Sequence, residues 1–195
     1  AVLDRLRVWP QLKQFSSPVH EMCVKGDKGG ELSFSAWQQC VSELAWIVDA
    51  GALERLLGDA IRYAPHVTQV DAVEGEAPPV QAALLAVCEG KHSRTREALG
   101  ASFSRQPYGH WGVAARLEAS RPHAGVARQW FRSPDVLALL PFHDPQPGAS
   151  YGLVWSLPEA KARQWLSEPA SVFEAGLMDA IRESDPAGAA QVGDL

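Results

Sequence analysis

The chain is predicted to be an α/β protein of the α+β kind, a mainly antiparallel sheet covered by helices, and three observations predict it. The second half holds four apolar stretches, His110 to Ala119, Gly125 to Phe131, Val136 to Phe142 and Ser150 to Leu157, separated by turns rich in Pro, Gly and Asp. Short turns between such stretches favour antiparallel strands, here read as a meander. Near the amino end, His20 to Val24 and Leu32 to Ala36 flank the run KGDKGG, the pattern of a hairpin. Apolar residues recur at helical spacing from Ala52 to Tyr63, at Leu53, Leu56, Leu57, Ala60 and Ile61, and again at Phe173, Leu177 and Ile181.

Composition bounds the possibilities. With 195 residues, 46% hydrophobic and 21% charged, the chain suits one domain with a real core. Its apolar runs, such as Val136 to Phe142, fall far short of a bilayer span. The charged, helix-patterned opening AVLDRLRVW lacks the form of a signal peptide. Three cysteines (Cys23, Cys40, Cys88) without C-x-x-C spacing read as buried thiols in a reducing cytoplasm. The six histidines show no metal-ligand spacing, so no metal is expected. A sequence pI near 5.7 and the lack of a recognition motif argue against nucleic acid. The net charge of −5 is uneven: Lys91 to Arg132 holds eight Lys/Arg against Glu97 and Glu118. That basic middle suits a phosphate-bearing cofactor, and equally the solvated faces of strands.

In chain order, Val2, Leu3 and Leu6 predict a helix broken at Pro10. Trp46 to Val48 is a short strand after the hairpin, and Pro65 stops the helix at 52–63. Val67 to Val73 is a predicted strand, Glu74 to Pro79 an exposed turn, and Val80 to Val87 a second strand. In the last strand of the second half, Tyr151, Leu153, Trp155 and Leu157 point one way, and Gly152, Val154 and Ser156 the other. Pro158 is placed as a first helical residue, and Ser171 to Glu174 as a capping box. Residues 1–184 then make one domain, with 185–195 as a loose tail.

One stretch stands apart as a candidate site. Leu84 to Arg96, LLAVCEGKHSRTR, reads as a buried strand, a tight turn at Glu89-Gly90 and a helix capped by Ser93 and stopped at Gly100. Free N–H groups at such a helix start attract anions, and Lys91, Arg94 and Arg96 add positive charge. The same features serve equally a turn that binds nothing.

The run E-G-x-x-S-x-x-R resembles the central D-G-x-x-S-x-x-R motif of FAD-dependent aromatic hydroxylases of the p-hydroxybenzoate hydroxylase type. The runs YGHWGVAARLEASRPHAGVARQWF, VLALLPF and YGLVWSLPEAKARQWL are similar to the middle of the ubiquinone-biosynthesis hydroxylases (the UbiH/UbiF type), as are LRVWPQL and WIVDAGALERLL upstream. No G-x-G-x-x-G occurs, and Gly193-Asp194-Leu195 lacks the rest of the family's second G-D motif. With the abrupt helical start, this gives the expectation of a middle, substrate-binding fragment.

The resemblance implies a parent enzyme in which NAD(P)H reduces FAD and oxygen is transferred to an electron-rich ring, while the protein orients substrate and excludes water. It implies cofactor-binding roles for Glu89, Gly90, Ser93 and Arg96, with Glu89 in place of the usual Asp. Trp130, Phe131, Pro141, Phe142 and Trp155 are candidates to line a site for an aromatic, prenylated substrate, although tryptophans also serve cores. The implied substrate is a polyprenyl phenol of ubiquinone synthesis. The fragment alone is expected to hold no FAD and to be inactive. A cytoplasmic or peripheral-membrane location, a place in a ubiquinone-synthesis assembly and self-association through the flavin-facing surface are further expectations. Two alternatives stay open: a non-catalytic binder or assembly subunit for aromatic or isoprenoid lipids, and a related flavin hydroxylase of another phenol.

Overall fold

A computed structural model describes residues 2–70 and 82–195. The chain divides into two compact units, Ala1–Ala60 together with Gly109–Leu195, and Ile61–Tyr108.

The larger unit is built on eight strands: β1 (Ser16–Val19), β2 (Glu21–Lys25), β3 (Glu31–Ser35), β4 (Ala45–Val48), β5 (His110–Glu118), β6 (Val126–Arg132), β7 (Asp135–Phe142) and β8 (Ser150–Pro158). Six of them form one sheet in the order β3-β2-β6-β7-β8-β5, and β1 pairs with β4 in a separate ribbon. The expected hairpin is present, with Cys23 opposite Ser33. The sheet is antiparallel except where β2 runs parallel to β6.

Two details of the sheet differ from the sequence expectation. Strands β6, β7 and β8 are a meander, but β5 pairs with β8 rather than β6, so the four make a Greek key. The physical reason lies in the link over 119–125, which is long enough to cross the ends of β7 and β8 instead of turning back on itself. Gly125 in that link has φ +71°, and a Cβ there would come within 2.6 Å of the His20 ring, so only glycine lets the link close on the corner between β1 and β2. The amides of His20 and Glu21 both donate to the Gly125 carbonyl.

Alternation along β8 works as expected: Tyr151, Leu153, Trp155 and Leu157 are fully buried, whereas Val154 on the opposite face is exposed. The buried row meets Leu137 and Leu139 of β7 and Val113 and Leu117 of β5. Over it lie α5 (Glu159–Ser167), α6 (Ala170–Ser184) and α7 (Pro186–Val192), contributing Ala162, Leu177, Ile181 and Val192 to the core. A second cluster joins Val8 and Leu12 to Ala52, with Trp9, Leu53, Leu56 and Leu57 around it. It holds α1 (Val2–Arg5) and α2 (Trp9–Leu12) near α3 (Ala50–Arg62), the amphipathic helix read from its spacing.

Several helix boundaries correct the sequence reading. Pro10 does not end a helix but sits in the first turn of α2, where its missing N–H costs nothing. Pro158 is the N-cap of α5 rather than its first residue. No capping box forms at Ser171, because α6 already begins at Ala170. The segment after Ser184 is not loose. The Asp185 side chain caps α7 by accepting the Gly188 amide, and Val192 is completely buried.

In the smaller unit, Leu84 to Val87 and Val67 to Val70 form no strand, and Leu84 is 83% exposed. A strand needs a neighbour to satisfy its backbone, and among the described residues none pairs with either segment. The expected turn at Glu74 to Pro79 and the adjoining ends of both predicted strands lie outside the described residues. The short helix α4 (Arg94–Ala98) starts at Ser93 as expected, and Gly90 and Gly100 take φ of +73° and +69°.

Candidate functional site

The six-stranded sheet has one face under α5, α6 and α7, and its other face carries the β1/β4 ribbon at one end. On that other face, the register places Phe131 of β6 opposite Val136, and Ala138 opposite Val154. Beyond them Ala114 and Gly112 of β5 lie opposite Val154 and Ser156. Phe131 and Val154 remain 44% and 46% exposed. The result is a flat strip of small side chains with one aromatic ring at its side and the polar Gln129 and Ser156 on the same face. Apolar side chains left exposed together on one sheet face suit a ligand or another chain segment.

At the other end of the same face the β1/β4 ribbon stands over the sheet and leaves a cavity of about 320 Å³ that opens to solvent. Met22, Phe34, Ala127 and Leu140 form its sheet wall, and Val19, Leu44, Ala45 and Ile47 its ribbon wall. No lining side chain carries a hydrogen-bonding group. The sequence reading missed this cavity, although alternation already places Met22 and Phe34 on one side of the hairpin. What it lacked was the position of the ribbon.

Arg116 of β5 borders this face. It donates to Asp49 Oδ2 at 2.6 Å and to Asp144 Oδ2 at 3.0 Å, and its guanidinium lies 5.1 Å from the centre of the Phe142 ring. Asp49 also accepts the Ala52 amide at the start of α3. One arginine therefore ties β5, the β7–β8 loop and α3 together.

Strand alternation divides the five candidate lining residues. Trp130, Pro141 and Trp155 lie on the helix-covered side, where Trp130 and Trp155 are 1% exposed. Their indole N–H groups donate to buried carboxylates, Trp130 to Asp185 at 3.2 Å and Trp155 to Asp135 at 2.8 Å. They are core residues. Phe131 and Phe142 lie on the open side, and Phe142 is buried beneath Arg116. Phe131 alone of the five presents a ring to the open strip.

The turn in the smaller unit is held together by its own side chains. Ser93 Oγ donates to Glu89 Oε2 at 2.6 Å and accepts the Arg96 amide at 3.0 Å. The Thr95 amide and hydroxyl both donate to Glu89. The hydrogen bonds from Ser93, then those from Thr95, hold the Glu89 carboxyl below its ordinary value. Arg96 donates to the carbonyls of Gly90 and Lys91 and stacks on Phe103 at 4.2 Å. The structure thus brings Glu89, Gly90, Ser93 and Arg96 together, but it corrects the expected reason. Carboxylate and hydroxyl oxygens of the turn itself occupy the amides of Thr95 and Arg96, so these are not free for an incoming anion. Lys91, Arg94 and Arg105 remain exposed around the turn.

Among the described residues no group of His, Cys, Asp and Glu is arranged to hold a metal, and no helix is long and apolar enough to cross a membrane.

No protein-family model matches the chain. Its fold is similar to that of solved proteins. PqsL, a probable FAD-dependent monooxygenase from Pseudomonas aeruginosa, superposes with a TM-score of 0.69 at 16% identity, over 99% of this chain and 58% of that one. PqsL in complex with 2-aminobenzoylacetate gives 0.70 at 15% identity, over 99% and 57%. A variant of Klebsiella pneumoniae HpxO complexed with FAD gives 0.53 at 15% identity, over 91% and 50%. The chain therefore spans little more than half the length of the proteins it resembles. At these identities the likeness is one of architecture, and the conclusion it supports is that this chain has a fold in common with part of an FAD-dependent monooxygenase.

Proposed function

We propose that the chain is the substrate-binding part of an FAD- and NAD(P)H-dependent monooxygenase that hydroxylates the ring of a polyprenyl phenol in ubiquinone biosynthesis. The observation that carries the reading is the open strip at Phe131, Val154, Ala114 and Gly112, flat, lined by small side chains and edged by the polar Gln129 and Ser156, on a fold in common with a probable FAD-dependent monooxygenase. Small side chains on a rigid sheet suit planar rings, so both a phenol and a flavin ring fit against this face. FAD, when bound, supplies the activation of O₂ that no side chain here provides. The overall change is phenol, O₂, NAD(P)H and a proton giving the hydroxylated phenol, NAD(P)⁺ and water.

This chain's own residues bind, orient and exclude water. Phe131 offers an edge or face to the substrate ring. Arg116, held by Asp49 and Asp144, keeps the border of the strip rigid. In the turn, Glu89, Ser93 and Arg96 hold Gly90 in shape, and exposed Lys91, Arg94 and Arg105 attract the phosphates of FAD or NAD(P)H. With the Thr95 and Arg96 amides taken by Glu89 and Ser93, the turn's contribution to cofactor binding is long-range charge and a preformed surface. Contact with a ubiquinone-synthesis assembly or with the membrane surface belongs to the same proposal.

A second reading, a flavin hydroxylase of a different aromatic compound, is favoured by the PqsL complex with 2-aminobenzoylacetate. The full-length gene product, supplied with FAD, NAD(P)H and 4-geranylphenol in air, tests both. A product heavier by one oxygen atom, lost with Phe131→Asp, is the expected result. Consumption of NAD(P)H with no oxygenated phenol overturns the first reading, and oxygenation of an aminobenzoyl acid instead supports the second.

A further inference from the structure

The cavity between ribbon and sheet differs in chemistry from the strip beside it. We propose that it is a separate subsite for the aliphatic tail of the substrate, with the ring lying farther along the same face toward Phe131. This inference rests on the hydroxylase reading for the identity of the ligand, and on the structure alone for the location of the tail.

The lining is the first argument. Met22, Phe34, Ala127 and Leu140 face the ribbon's Ile47 and Leu44 with no hydrogen-bonding side chain among them. A phenol hydroxyl or carboxylate placed there would give up its water and gain nothing in return. A hydrocarbon chain gains from the same burial. The second argument is size. About 320 Å³ lies at the small end of the ~300–1,000 Å³ usual for ligand sites, so the cavity takes one portion of a long molecule.

Continuity is the third argument. Val136, Ala138 and Leu140 follow one another on the open side of β7, all half-buried, and lead from the strip into the cavity. On β6, Ala127 in the cavity and Phe131 on the strip are four residues apart on one face, roughly 13 Å along the strand, and the polar Gln129 between them, opposite Ala138, marks the border between cavity and strip. A ligand with a ring at one end and a chain at the other matches that division. The cross-strand pair Met22 and Phe34 forms one wall. The flexible thioether of Met22 adapts to a branched chain, while Phe34, 46% exposed, sets how far the chain can run before it meets solvent.

The test is equilibrium dialysis of the 195-residue chain against 4-methylphenol, 4-geranylphenol and 4-farnesylphenol, with circular dichroism as the check on folding. Each added five-carbon unit is expected to tighten binding by about tenfold or more until the cavity is full. Met22→Trp, which fills the cavity, is expected to abolish that gain while leaving 4-methylphenol unaffected. Phe34→Ala is expected to carry the gain one unit further. Equal affinity for the three phenols, or a tail dependence that both substitutions leave unchanged, overturns the proposal. Tail dependence in the chain combined with no hydroxylation by the full-length protein leaves the subsite standing and removes the hydroxylase reading. Hydroxylation without tail dependence does the reverse.

Discussion

Arg116 Nη2 stands 2.6 Å from Asp49 Oδ2, and the same carboxylate caps α3 through the Ala52 amide. One buried aspartate thus joins an edge strand of the sheet to the start of a helix 67 residues earlier in the chain. Asp49→Ala removes both bonds and is expected to destabilise the chain by about 1–3 kcal/mol, the sum of a lost cap and a partly exposed ion pair. Asp49→Asn, which keeps a capping oxygen, is expected to cost less. Urea denaturation of the two variants measures the difference.

Two groups place acid sensitivity in separate pH windows. Burial pushes the His123 imidazole below its ordinary 6.5. The unfolded chain therefore takes that proton first, and stability is lost as pH falls from about 6.5 toward the folded value. Burial pushes the Asp185 carboxyl up, but hydrogen bonds from Lys25, the Gly188 amide and the Trp130 indole outweigh it and leave the group below its ordinary 3.8. Its contribution is present above 3.8 and is lost as pH falls further. Denaturation midpoints measured against pH are expected to show both steps, with His123→Gln flattening the upper one and Asp185→Asn the lower.

Trp155 is a core residue whose indole N–H, 2.8 Å from Asp135 Oδ2, serves a carboxylate only 5% exposed. Trp155→Phe is expected to lower stability by about 2–4 kcal/mol, through lost volume and a poorly satisfied buried carboxylate. Phenol affinity of the folded fraction is expected not to change. A selective loss of affinity with stability intact would return Trp155 to the substrate site.

Glu89 organises its turn through Ser93 and Thr95. Glu89→Ala is expected to fray α4 and free the Thr95 amide, seen as faster hydrogen exchange at Thr95 and Arg96 with the rest of the chain unchanged. Glu89→Asp, one methylene shorter, is expected to keep part of the protection.

Local pattern alone determined much of this protein. Which side of β8 is buried, that 21–35 folds as a hairpin, that 50–62 is an amphipathic helix and that Ser93 caps a helix all follow from side-chain period and capping chemistry, which act within a few residues. The grouping of Glu89, Gly90, Ser93 and Arg96 was legible for the same reason. The tertiary structure alone decided which strands are neighbours, since β5 beside β8 and β2 parallel to β6 depend on where the chain crosses the sheet. It also decided that Trp130 belongs to the core while Phe131 does not, because adjacent residues on a strand point to opposite faces and only the placement of the helices says which face of β6 is closed. The apolar cavity was the least legible feature of all. Its walls come from segments more than a hundred residues apart, brought together by packing that no local spacing encodes.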